Sequence, residues 1–405
     1  MSSGVSSLPI QQEQQESFRF TGSGEEYFRI WIVNLFLSIL TLGIYSAWAK
    51  VRTRRYFYGN TWLQGHTFQY LASPLSILKG RIIVAAILVL YALPLPSPFN
   101  WLMPIAAVLV LPWLVLQALR FNAHNSAYRN LRFGFHGSLG GVFLLCLAWL
   151  FLFFITPFLI IAAISMYLEA DLSLQGVLAD LPLPEDTGLL PASGLSALGA
   201  SILLVASLAL PVVLWGYVLF RSWQYYAGGS AWGRRRFRFE LESGPCLRMV
   251  VITVLLAMGA LAIIAAGIGL IVTGYYLDFD TFVGNSLIAL LSFGLAYLLL
   301  FYATAYYRAY SFNLFYRGVG LKENRLATSM TALSYFWLSL TNAIGIACSL
   351  GLFYPWARVR TARYRAARIN ARLVESLESY AAAEGRHVTA LGDEMAEALD
   401  LGLGV

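Results

Sequence analysis

Residues 142–164 read VFLLCLAWLFLFFITPFLIIAAI, twenty-three positions without a single charge. A helix needs about 20 apolar residues to cross the hydrocarbon core of a bilayer, where every backbone polar group must be satisfied within the segment. Five more stretches satisfy the same test, roughly 81–97, 101–119, 195–220, 249–277 and 284–306. The whole chain is 59% hydrophobic and only 12% charged, whereas a soluble domain is about half apolar and a quarter charged. The expected fold class is therefore an all-α polytopic membrane protein with about six transmembrane helices.

Two further apolar segments, 28–47 and 335–355, are interrupted, and the charge pattern makes them informative. The connection 168–194 holds Glu169, Asp171, Asp180, Glu185 and Asp186 without any Lys or Arg, and 278–283 holds Asp278 and Asp280. All 28 Lys and Arg fit on the opposite face, which the positive-inside rule makes cytoplasmic. Both flanks of each interrupted segment are basic: Arg19 and Arg29 before Lys50, Arg52, Arg54 and Arg55, and Arg308 to Arg325 before Arg358 to Arg372. A full crossing cannot return to the side it left, so both segments are expected to dip in and come back. The Thr41-Leu-Gly43 and Ser349-Leu-Gly351 breaks suit such re-entrant, broken-helix hairpins, because glycine loosens a helix and a hydroxyl can bond backbone.

The two hairpins are also copies of one another. A shift of 308 residues aligns 27–56 with 335–364 without a gap, and 12 of the 30 positions are identical, including Asn34, Gly43, Trp48, Arg52, Thr53, Arg55 and Tyr56. Alternating aromatics at Phe18-Arg-Phe20, Phe68-Gln-Tyr70, Phe133-Gly-Phe135 and Phe237-Arg-Phe239 read as short cytoplasmic strands linking five in-and-back hairpins. Residues 1–17, polar and Gln-rich, read as a disordered tail rather than a cleavable signal peptide. Residues 18–370 form the membrane domain. Residues 371–405 read as a cytoplasmic acidic tail, a helix with a frayed end for which solvation is the first expectation and covering the basic surface the alternative.

The run FRFTGSGEEYFRIWIVNLFLSILTLGIYSAWAKVRTRRYFYGNTWLQGHTFQY (18–70) resembles the opening of the YjgN-like family of bacterial multi-pass inner-membrane proteins. The closing WARVRTARY carries the likeness to the far end of the chain. The resemblance implies a bacterial inner membrane, and the charge pattern puts both termini on its cytoplasmic side. It implies no activity, since that family is a domain of unknown function with no catalytic residues to transfer.

Chemistry is sparsely signalled. The four histidines and three cysteines lack metal-ligand spacing, there is no nucleotide loop or nucleophile elbow, and no carboxylate lies inside an expected span. No cofactor, metal or enzymatic role is expected. Two site candidates remain. Asn34, Thr41 and Gly43 with Asn342, Ser349 and Gly351 would line a mid-membrane path, because broken helices in matching halves of a repeat point to transport sites. Trp48, Lys50, Arg52, Arg55 and Tyr56 with Trp356, Arg358, Arg360, Arg363 and Tyr364 would sit at the interface and hold an anionic ligand or lipid headgroup. The leading expectation is a channel or carrier for a small or lipid-like solute. The alternatives are a lipid-binding or assembly scaffold, and then a membrane enzyme. Expected partners are the bilayer and its anionic phospholipids, not nucleic acid.

Overall fold

The computed structural model describes residues 14–92, 99–180, 192–277, 279–384 and 386. In chain order, β1 (Gln14–Ser17) and β2 (Arg19–Phe20) precede a helical hairpin, α1 (Gly24–Leu40) and α2 (Ser46–Gly59). Next come β3 (Thr61–Leu63) and β4 (His66–Tyr70), then α3 (Pro74–Ala92) and α4 (Phe99–His124). β5 (Ser126–Tyr128) and β6 (Leu131–Phe135) lead to α5 (Leu139–Asp180) and α6 (Ala192–Gly229). β7 (Ser230–Trp232), β8 (Arg235–Arg236) and β9 (Arg238–Phe239) lead to α7 (Ser243–Leu277) and α8 (Phe279–Gly318). β10 (Val319–Leu321) and β11 (Asn324–Thr328) lead to α9 (Ala332–Cys348) and α10 (Tyr354–Ala366), and β12 (Ile369–Leu373) follows.

The chain divides into two units. The second, Phe143–Ser222 with Glu242–Ala303, is built of helices with no strand among its described residues, and it exposes large apolar side chains such as Phe153, Leu255 and Leu291. Five helical stretches are long and apolar enough to cross a membrane: Pro104–His124, Leu139–Met166, Val205–Gly229, Ser243–Leu277 and Asp280–Gly318. The protein is thus a mostly helical, polytopic membrane protein, with five rather than six such helices among the described residues. The expected span 81–97 begins within α3 and runs onto 93–98, which lie outside the described residues. The expected spans 195–220 and 284–306 are displaced or lengthened, because the helices continue past their apolar stretches to Gly229 and Gly318.

The expectation of an all-α chain needs correction, and the first unit shows why. Twelve strands among its described residues form two sheets, one ordered β1-β12-β11-β10-β9 and the other β2-β3-β4-β5-β6-β7-β8. Only Phe18 separates β1 from β2, and only Phe237 separates β8 from β9. Both joint residues stay bonded, Phe18 N–H to Ile369 O at 3.1 Å and Phe237 N–H to Ser230 O at 2.9 Å. Strand pairing therefore closes on itself as an antiparallel ring, with no open edge in its order, and edges are what make sheets stick. Alternating aromatics supply the strand faces. Phe68 stacks on Phe18 (6.1 Å) and Tyr128 (4.7 Å), Tyr128 meets Trp232 (5.8 Å), and Phe133 meets Phe237 (6.4 Å). Leu63, Leu131, Leu321, Ala371 and Leu373 complete this core from strands all round the ring.

Two-residue turns join β3 to β4, β5 to β6, β7 to β8 and β10 to β11. Gln64-Gly65 and Arg129-Asn130 have both central φ angles positive, the twist that suits a tight hairpin. The fifth strand pair is made by the first and last strands, β1 against β12 in register from Gln14↔Leu373 to Ser17↔Asn370. Paired backbone thus begins at Gln14, inside the stretch expected to be disordered up to residue 17. Each strand pair leads into a helical hairpin, and four of these begin with a hydroxyl cap. Ser23 accepts from Glu26 N–H, Ser73 from Ser76, Ser138 from Gly141 and Thr331 from Ser334. Such caps satisfy amides that the first helical turn leaves without partners.

The acidic tail does not simply dangle in solvent, as its composition led us to expect. Residues 369–373 are the ring strand β12, and residues 377–384 form a short helix whose Leu377, Tyr380 and Ala381 join the ring core.

Candidate functional site

The candidate residues fall on two hairpins of the first unit, and local chemistry dictates their shape. In α1–α2, the Thr41 hydroxyl donates to Leu37 O (2.7 Å) and accepts from Tyr45 N–H (2.9 Å). Leu42 has φ 49° and Gly43 φ 90°, and Gly43 N–H donates back to Ser38 O at 2.7 Å. In α9–α10, Ser349 donates to Ile346 O (3.3 Å) and accepts from Phe353 N–H (2.8 Å). Leu350 has φ 50° and Gly351 φ 94°, with Gly351 N–H to Ile346 O at 2.8 Å. A Cβ added at either glycine would meet nothing within 4 Å, so glycine is there for its backbone freedom and not for close packing. Thr41, Gly43, Ser349 and Gly351 thus build turns, and their hydroxyls bond backbone of their own turn.

The asparagines are different. Asn34 is 5% exposed and Asn342 7%, and each accepts a hydrogen bond from the arginine 18 residues later. Arg360 Nη1 reaches Asn342 Oδ1 at 2.8 Å, and Arg52 Nη1 reaches Asn34 Oδ1 at 3.5 Å. Arg52 also touches Tyr45 Oη (3.3 Å), and Arg360 touches Thr341 Oγ1 (3.3 Å). Asn342 Nδ2 donates to Thr361 Oγ1 (3.2 Å) and Ala357 O (3.4 Å), whereas Asn34 Nδ2 is buried without a partner. Both arginines are otherwise exposed. No carboxylate pairs with Arg52 or Arg360 among the described residues. Each is a cation steered by a buried amide.

The remaining interface candidates mostly serve packing. Arg55 donates to Tyr70 O (3.4 Å) and Ala72 O (3.3 Å), and Arg363 to Gly22 O (3.0 Å), so both clamp carbonyls just ahead of a helix start. Arg358 donates to Tyr354 Oη (2.9 Å) and lies over the Phe57 ring at 5.3 Å. Trp356 meets Phe28 at 5.0 Å and occupies the space that a Cβ on Gly24 would need. Trp48 stacks on Tyr45 at 6.1 Å and packs around Ala47, Val51 and Ile77. Tyr56 donates to Ser23 O (2.8 Å) and contacts Glu26 Oε2 (3.2 Å). Its phenol is pushed up to about 12 by burial first and by the nearby Glu26 charge second. The Tyr364 hydroxyl is buried without a partner, and Lys50 is exposed.

The structure joins each asparagine to an arginine of its own hairpin and joins the hairpins to each other through Trp356, Phe28, Arg358 and Phe57. Sequence reasoning placed asparagine and arginine in separate groups, although both copies of the repeat keep them 18 residues apart. It also passed over Thr361 and Arg54, whose Nη1 donates to Asn122 Oδ1 (2.7 Å) and Tyr70 Oη (2.9 Å).

The bacterial protein family of unknown function DUF898 matches residues 15–398 of this chain. The chain belongs to that family. The inner membrane protein YjgN of Salmonella typhimurium is 26% identical over 363 residues, 84% of each chain. Its namesake from Escherichia coli K12 is 27% identical over 262 residues, 61% of this chain and 58% of its own. No solved structure matches. Membership supports an integral membrane protein whose relatives reside in the bacterial inner membrane.

Proposed function

We propose that this family member is a lipid-engaging inner-membrane protein without enzymatic activity, in which α1–α2 and α9–α10 enter the cytoplasmic leaflet and hold anionic phospholipid headgroups at Arg52 and Arg360. One observation carries the reading: both hairpin tips are apolar and uncovered, above an exposed guanidinium fixed by a buried asparagine. Leu42 and Leu350 are each 95% exposed. Their left-handed backbone would favour Gly or Asn, at a cost of roughly 1–2 kcal/mol for other residues. Leucine at such a tip gains where its surroundings are hydrocarbon.

The lengths agree. The helix from Arg52 back to Ser46 rises about 9 Å, and the turn beyond it fits within half of the roughly 30 Å hydrocarbon core. With Arg52 at headgroup level the tip stays within the cytoplasmic leaflet, and both basic flanks and both termini stay cytoplasmic. A guanidinium matches a phosphodiester through paired N–H donors. A carrier for a small or lipid-like solute is the second reading, favoured by the buried, unpartnered amide of Asn34.

The test reconstitutes full-length protein in phosphatidylcholine nanodiscs containing phosphatidylglycerol and counts retained lipids by native mass spectrometry. The expected result is preferential retention of phosphatidylglycerol that Arg52→Gln with Arg360→Gln reduces at least fivefold. Equal retention in the variant would sink the headgroup reading. Solute flux in sealed vesicles that requires Asn34 would move the second reading ahead.

A further inference from the structure

The turn end of the ring carries a concentrated basic and aromatic surface, and the chain's own acidic segment lies on it. Glu375 makes a two-pronged ion pair with Arg235, at 2.6 Å to Nη1 and 3.0 Å to Nη2, and also meets Lys322 Nζ at 3.3 Å. Nine residues further on, Glu384 accepts from Arg234 N–H at 3.1 Å and lies 3.5 Å from Arg234 Nε. Between them, Tyr380 donates to Trp232 O (2.9 Å), accepts from Arg235 N–H (3.2 Å) and lies beneath the Arg235 guanidinium at 4.0 Å. Asn324 fixes the entry by accepting from Val374 and Glu375 N–H, at 2.9 and 3.0 Å. Arg129 and Glu378 add a looser pair at the rim, 3.7 Å apart.

These contacts come from turn or near-turn residues of three strand pairs, namely Arg129, Arg234, Arg235, Lys322 and Asn324. The docked segment meets them with Leu377, Tyr380, Ala381 and Glu384, the i, i+3, i+4, i+7 face of a helix. A bidentate arginine–carboxylate pair with an aromatic anchor between two acidic ends is a recognition arrangement. The ring is already closed by β1 and β12 without it.

We infer that the turn end of the ring is a receptor surface for an acidic amphipathic helix of a partner protein, which the chain's own residues 374–384 occupy and guard. A partner that fits presents a carboxylate, an aliphatic residue two positions on, an aromatic three further and a second carboxylate four beyond that. The docked segment is a competitor in cis, and its high local concentration sets a threshold for partners in trans.

The probe is a fluorescein-labelled peptide of residues 373–386, LVESLESYAAAEGR, titrated by anisotropy against full-length protein in detergent. Protein carrying Glu375→Gln, Tyr380→Ala and Glu384→Gln should bind it at least tenfold more tightly than wild type, and adding Arg235→Ala should abolish that gain. Equal binding by both proteins, no binding by the variant, or indifference to Arg235→Ala would overturn the inference. Hydrogen exchange on unaltered full-length protein gives an independent reading. Amides of 377–384 should exchange at least tenfold faster in 0.5 M than in 0.05 M salt (concentrations of roughly this order span the screening range), while β11 and β12 stay unchanged. Exchange of the segment only together with those strands would make it a fixed part of the core and refute a displaceable guard.

Discussion

The hairpins α1–α2 and α9–α10 share a turn to within a few degrees, with φ of 49° and 90° in one and 50° and 94° in the other, yet their polar interiors are wired differently. In α9–α10, Arg365 Nη2 donates to Tyr335 Oη at 3.1 Å, so the Thr361 hydroxyl remains available to Asn342. The equivalent of Arg365 in α1–α2 is Phe57, which donates nothing. There Asn34 Nδ2 goes unpartnered, and the Arg52 contact lengthens to 3.5 Å. The copies thus differ as a saturated network and one with a donor to spare. Backbone geometry survives the change because glycine and the hydroxyl cap set it locally.

The largest expected effect breaks the likeness at the tryptophans. Trp356 packs α10 against α1, whereas Trp48 packs α2 among residues near α3. Trp356→Ala should cost about 2–3 kcal/mol in denaturant unfolding, somewhat below a fully buried tryptophan, and should couple to Phe28→Ala by about 0.5–1.5 kcal/mol. Trp48→Ala should show no coupling to Phe28. The glycines sharpen the comparison from the other side. Gly43→Ala and Gly351→Ala should each cost about 1–2 kcal/mol, because alanine is strained at positive φ. The two costs should agree within about 0.5 kcal/mol, and a larger gap would mean the turns are not equivalent.

The asparagines should separate the copies in sign. Asn342→Leu removes three hydrogen bonds and should cost about 1–2 kcal/mol, while Asn34→Leu should be neutral or stabilising, since it deletes a buried donor that has no partner. Thermal unfolding of both variants in the same detergent decides. The smallest effect concerns Tyr56. Its phenol titrates at about 12, above an unfolded tyrosine near 10. The unfolded chain therefore loses its proton first, and the contribution to stability falls as pH rises from about 10 towards 12. Ultraviolet titration should show Glu26→Gln lowering that value, because the Glu26 charge opposes ionisation.

Much of this was legible in sequence because the signals were local. Apolar windows announced spans, alternating aromatics fell within β4 and β6 and across the β1–β2 and β8–β9 joints, and Thr-Leu-Gly and Ser-Leu-Gly marked the turns. What escaped was long-range. β1 pairs with β12 across some 350 residues, and Glu375 meets Arg235 at a separation of 140, so neither has a periodicity to reveal it. For the acidic tail, composition favours solvation over covering the basic surface, because composition reports charge and not the surface that meets it. The Asn–Arg pairs lay in between: their spacing of 18 was visible in both copies, but only the hairpin fold makes positions 18 apart neighbours.

The central claim, that both hairpins enter and leave by the same face, is tested most directly by single cysteines on the two flanks of each. Glu25→Cys and Lys50→Cys for the first hairpin, and Ser334→Cys and Arg358→Cys for the second, are all exposed positions. They would be placed in protein whose Cys146, Cys246 and Cys348 are replaced. A membrane-impermeant maleimide, applied to spheroplasts and to inside-out vesicles, should label all four only from the cytoplasmic side. Labelling of the two flanks of either hairpin from opposite sides would show a full crossing and contradict the account.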